Sequence, residues 1–128
     1  MPAITLCARP LILLVLGAAF LIGPLNSART QAYFDGSWSV LVITEAGDCD
    51  RAYRYGVKIE RGRIIYQGEA GIDLSGRVDR NGRVSVSIRR GDQSASATGR
   101  LSGNRGVGRW KGKSSTAECG GRWEAERR

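Results

Sequence analysis

The chain has 128 residues, including 18 glycines, and carries a formal charge of +8 from 20 basic against 12 acidic side chains. It contains no histidine, which removes Ser-His-Asp and Cys-His catalysis along with the commonest transition-metal ligand. Met1 is the only methionine, so ordinary haem ligation has little to draw on; neither an enzyme nor a cofactor is expected.

In chain order, the first feature is an apolar run from Leu11 to Gly23, 13 residues long. A membrane-crossing helix needs about 20. Arg9 precedes the run, Pro24 ends it and small residues follow. This is the layout of a secretory signal peptide occupying residues 1–32, cleaved after Ala28 or Ala32. Thr30 favours the second position, and an uncleaved signal anchor is the alternative. The expected location is therefore secreted or periplasmic, with no transmembrane span in the mature form.

Residues 33–128 are too few for more than one domain, and a domain this small often needs a covalent staple. Cys49 and Cys119 are its only cysteines. In an oxidising compartment they read as a disulfide, with a free thiol pair or a two-ligand metal site as the alternatives.

After the signal, no helical periodicity remains. Short runs of period-2 alternation lie between Gly, Asn and Asp, the pattern of half-buried strands. Eight are predicted: 37–44, 52–60, 63–67, 70–79, 83–89, 94–101, 106–111 and 121–126. Their inward rows are Trp38, Val40 and Val42; Tyr53, Tyr55, Val57 and Ile59; Ile72, Leu74, Gly76 and Val78; Val84, Val86 and Ile88; Ala95, Ala97, Gly99 and Leu101; Gly108 and Trp110; Trp123 and Ala125. Short turns, among them Arg61-Gly62, Asn81-Gly82, Gly91-Asp92 and Gly103-Asn104, favour an antiparallel meander. An open sheet would leave two edges exposed, so a closed barrel or a flattened sandwich is expected. The cysteines support an even strand count. Cys49 follows the first strand and Cys119 precedes the eighth, which places both at one end, where a bridge would pin first strand to last.

The triplet Gly-Arg-apolar recurs at Gly62, Gly76, Gly82, Gly99, Gly108 and Gly121. Alternation sends each arginine outward. The outer face is then either simply solvated or a binding surface, for which Arg77, Arg83, Arg100 and Arg109 are the candidates. An exported basic protein would meet anionic envelope polysaccharide or lipid headgroups; a protein partner is a further option, and nucleic acid is not expected.

Other chemistry is sparse. Asp48 and Asp50 flank Cys49 in a turn, and Glu124 and Glu126 alternate outward beside Arg122, so neither pair has the setting of a glycosidase acid pair. The aromatic residues Tyr53, Tyr55, Tyr66, Trp38, Trp110 and Trp123 are expected inside, either packed against the small residues opposite or lining a ligand cavity.

Gly36-Ser37-Trp38 at the start of the first strand resembles the Gly-x-Trp motif of the calycins, a barrel group that includes lipocalins, avidins and bacterial metalloprotease inhibitors. The resemblance implies a basic residue from the last strand packed over the tryptophan. Arg122 or Arg127 could fill that place, and Arg127 lies at the end that meets Trp38. It also implies a secreted protease inhibitor as an alternative function; a small-ligand carrier is a further one, if the aromatic rows line a cavity. Only residues 29–35 are left as an inhibitory arm, which is short for that role. The stretch from Tyr33-Phe34-Asp35-Gly36-Ser37-Trp38 to Gly121-Arg122-Trp123-Glu124-Ala125 is also similar to a group of small exported alphaproteobacterial proteins, some bearing names linked to haem use or adhesion. That likeness implies export and a β fold. A haem role fits poorly with a chain lacking histidine. The leading expectation is a non-catalytic, envelope-associated β-barrel module whose arginine-rich surface meets anionic partners.

Overall fold

The computed structural model describes residues 17–18 and 32–128. Apart from Gly17, Ala18 and Ala32, the predicted signal segment and its cleavage positions lie outside the described residues. Among those residues there is no helix. Eight strands follow one another: β1 Gly36–Ala46, β2 Ala52–Glu60, β3 Arg63–Tyr66, β4 Asp73–Val78, β5 Arg83–Arg90, β6 Gln93–Ser102, β7 Arg105–Lys113 and β8 Glu118–Arg127. Each pairs antiparallel with the next, and β8 returns to β1, so the meander closes into a barrel without free edges. Of the two expected architectures, barrel and sandwich, the barrel is the one formed.

Closure is tight between β1 and β8, where Trp38 faces Arg127 and Val42 faces Trp123. It is slack between β3 and β4, which pair only at Arg63↔Arg77 and Ile64↔Gly76. The fourth strand was expected from Ala70 but begins at Asp73. Gly71, at φ 90, turns the chain there, and an L side chain rarely adopts that conformation.

One barrel end is sealed. Trp38, only 2 % exposed, forms its floor with Phe34, Ile59, Val78, Val84, Leu101 and Ala125. The Trp38 indole nitrogen donates to the Phe34 carbonyl at 2.9 Å. The Asp35 carboxylate accepts from the amides of Arg61 and Gly62 at 2.8 and 3.3 Å, tying the entry segment to the β2–β3 turn. Toward the other end the inner rows are half-buried, and Tyr53, expected inside, stands 50 % exposed at the rim. It stacks on Tyr55, with ring centroids 5.5 Å apart. The difference is one of position along the strand: Tyr53 is on the inner face but beyond the packed interior.

Trp123 accounts for a cluster of three glycines, Gly99, Gly106 and Gly108. Its indole lies flat against β6 and β7 and donates to the Thr98 carbonyl at 3.1 Å. A Cβ at Gly108 would come within 2.5 Å of the ring, and one at Gly99 would also collide with it. The large residue therefore needs the bare backbone opposite, as close packing demands.

Cys49 and Cys119 form the disulfide, with Cα atoms 6.2 Å apart. It anchors the β1–β2 loop to the start of β8 and closes a long chain loop, a restraint of about 4 kcal/mol in the chain-entropy description.

Candidate anion-binding face

Alternation in the Gly-Arg-apolar triplets turns the residues on either side of each arginine inward, buried or half-buried, and leaves the arginine exposed. Register adds something that alternation alone does not contain. The six triplet arginines stand opposite one another in three cross-strand pairs: Arg63↔Arg77, Arg83↔Arg100 and Arg109↔Arg122. Like charges directly opposite on a sheet oppose folding, on the order of 0.5 kcal/mol per pair.

The three pairs differ in their neutralisation. Glu45 bridges the third: one carboxylate oxygen lies 3.3 Å from Arg109 Nη2 and the other 3.6 Å from Arg122 Nη1. Glu124 adds a contact to Arg122 at 3.8 Å. Among the described residues no carboxylate lies within 4.0 Å of the Arg63, Arg77, Arg83 or Arg100 guanidinium.

Arg77, Arg83 and Arg100 line one shallow groove of about 510 Å³ on the outside of β4, β5 and β6. Its floor is short because the residues between the arginines are Ser85 and Thr98, which pair across the strands. Asp79 stands at one end, where its Oδ1 accepts the amides of Asn81 and Arg83 at 2.8 and 3.0 Å within the hairpin turn. The next outward row is Ser75, Ser87, Ser96 and Lys111, so the hydroxyl paving continues up the barrel wall. No aromatic or large aliphatic side chain projects from these rows; the exposed ones at their borders are Val107, opposite Arg100 on β7, and Ile65, two residues beyond Arg63 on β3.

Three of the four candidate surface arginines thus share one groove. Arg109 is on the same outer wall but engaged by Glu45. The other proposed pair, Trp38 and Arg127, is at the sealed end. The Arg127 guanidinium carbon lies 4.9 Å from the Trp38 ring centroid. The same group donates to the carbonyls of Asp35 and Tyr33 and to Asn104 Oδ1, the last at 3.1 Å. Residues 33–35 are therefore built into the barrel floor. Arg122 is outward and far from this contact.

Several of the remaining acids pair with surface bases, Glu60 with Lys58 among them, or belong to turns. Glu126 lies 3.6 Å from Arg105 and Glu69 lies 3.8 Å from Arg90. Asp92 accepts from Ser115 Oγ at 2.9 Å, which holds its carboxyl below the usual range. Among the described residues no group of His, Cys, Asp or Glu is arranged to hold a metal ion. Near the open end, burial and then the neighbouring Tyr53 and Tyr66 raise the Tyr55 phenol above its ordinary value.

Sequence reasoning missed the arginine pairing and the role of Glu45. The first was within reach. The turn at Gly91-Asp92 fixes the β5–β6 register, so Arg83 and Arg100, equidistant from it, must meet. The Glu45 contact to Arg109 joins residues 64 positions apart and left no local signal. No family model, curated protein or solved structure matches this chain.

Proposed function

We propose that the protein is an exported, non-catalytic binding module that attaches to anionic partners at the cell envelope through its arginine groove. The observation that carries this reading is the contrast between the arginine pairs. Arg109 and Arg122 share a carboxylate supplied by the chain itself, whereas Arg83 and Arg100, with Arg77 beside them, line a groove whose one carboxylate, Asp79, is taken up by turn amides and forms no ion pair with them. Arginine is suited to the task, because its planar fork binds carboxylate, sulfate or phosphate oxygens in pairs.

Export rests on the signal-like segment, and the anionic character of the partner rests on the groove. The test is co-sedimentation of the exported, oxidised protein with isolated cell envelopes from low to high salt. Binding at low salt that declines steeply as salt rises, and that is lost in an R77Q/R83Q/R100Q variant with unchanged circular dichroism, supports the proposal. Envelope binding insensitive to both changes contradicts it.

A further inference from the structure

We infer that the occupant of this groove is an acidic polysaccharide bearing carboxylate groups, a polyuronate in chemical class; this rests on the anion-binding reading above. Two independent features point that way.

The first is internal. Glu45 shows what an opposed arginine pair on this barrel accepts: one carboxylate, an oxygen directed to each guanidinium. The pairs Arg83↔Arg100 and Arg63↔Arg77 have the same cross-strand opposition. They offer two further carboxylate positions on neighbouring parts of one wall, which suits a chain with repeated acid groups better than a single small anion.

The second is the floor between and above them. Ser85, Thr98, Ser75, Ser87 and Ser96 project outward in adjoining rows of β4, β5 and β6. Each hydroxyl both donates and accepts, so the rows complement a ligand whose own surface is hydroxyls. The same rows lack the aromatic platforms on which single-stranded nucleic acid stacks. They also hold none of the apolar side chains that a surface-bound protein buries in a bilayer; the exposed Val107 and Ile65 border them singly, on β7 and β3.

The experiment compares polygalacturonate with polyglutamate, polyphosphate and phosphatidylglycerol vesicles at matched charge concentration and low salt. Polygalacturonate and polyglutamate both carry carboxylates, but only the first carries hydroxyls. The expected result is about tenfold tighter binding of polygalacturonate than of polyglutamate, the scale of one or two net hydrogen bonds. A variant S85A/S87A/S96A/T98V keeps every charge and should lose most of that preference while still binding both polymers. Equal affinity for the two carboxylate polymers, or tighter binding of polyphosphate or vesicles, overturns the polysaccharide assignment and leaves anion binding by the groove standing. Absence of binding to all four probes overturns the groove reading itself.

Discussion

Arg83 and Arg100 face each other across the β5–β6 pair with no carboxylate of the described residues within 4.0 Å of either guanidinium. On the proposed reading, an arrangement that opposes folding is kept because it supplies two guanidinium forks to one anion. It follows that Arg100→Glu should make the protein more stable, by about 0.5–1 kcal/mol at low salt, because an opposite-charge pair replaces a like-charge one. The gain should shrink as salt rises. Urea unfolding at two ionic strengths measures it, and an Arg100→Glu protein less stable than the parent would contradict the premise.

The sealed end depends on Arg127 as much as on Trp38. Arg127→Ala removes a ring contact and three hydrogen bonds, and should cost about 2–3 kcal/mol. Arg127→Lys should recover less than half of that, since an ammonium cannot reproduce the planar fork that spans Tyr33, Asp35 and Asn104. The comparison is made by urea midpoints at constant m-value. Full recovery by lysine would mean that the charge alone matters.

Gly108→Ala should cost about 2–3 kcal/mol, because its Cβ would enter the Trp123 ring and press on the β6 backbone. Combined with Trp123→Leu, the alanine should cost less than it does alone, a coupling that a double-mutant cycle reads out. Strict additivity would show that Trp123 is not the obstacle.

The raised Tyr55 phenol makes a prediction about alkaline pH. Burial, then Tyr53 and Tyr66, disfavour the phenolate in the folded state, and the Arg90 charge opposes them only in part. Above the ordinary value of 10.0 the unfolded chain has released this proton while the folded chain still holds it. The contribution is thus fully present below that pH and is lost as pH rises through the higher folded value. Phenolate absorbance should show a late-titrating tyrosine that disappears in Tyr55→Phe; identical titrations would contradict this.

The fold was legible to an unusual depth for reasons that can be named. Most strands alternate, β1 with its continuous run Val40 to Ile43 being the exception, and glycine-bearing turns punctuate the runs. The positions of Cys49 and Cys119 then supported an even strand count, because an even meander brings the end of the first strand to the start of the last. The boundary at Asp73 was misplaced because Ala70-Gly71-Ile72 continues the alternation while Gly71 turns away. Tyr53 was assigned to the correct face, but sequence does not say how far up the barrel the packing extends. At the candidate site, the outward arginines were readable from the triplets. Their opposition required the register to be counted, and the engagement of Arg109 by Glu45 joins strands far apart in sequence.

The most direct test of anion binding by the groove is the salt dependence of affinity for polygalacturonate, measured for the parent, R77Q/R83Q/R100Q and R109Q. If the three arginines displace counterions as a unit, the slope of log affinity against log salt should fall by about 2–3 in the triple variant. It should fall much less in R109Q, whose guanidinium is already held by Glu45. A triple variant with the affinity and slope of the parent would contradict the account and return the arginines to the role of solvated surface.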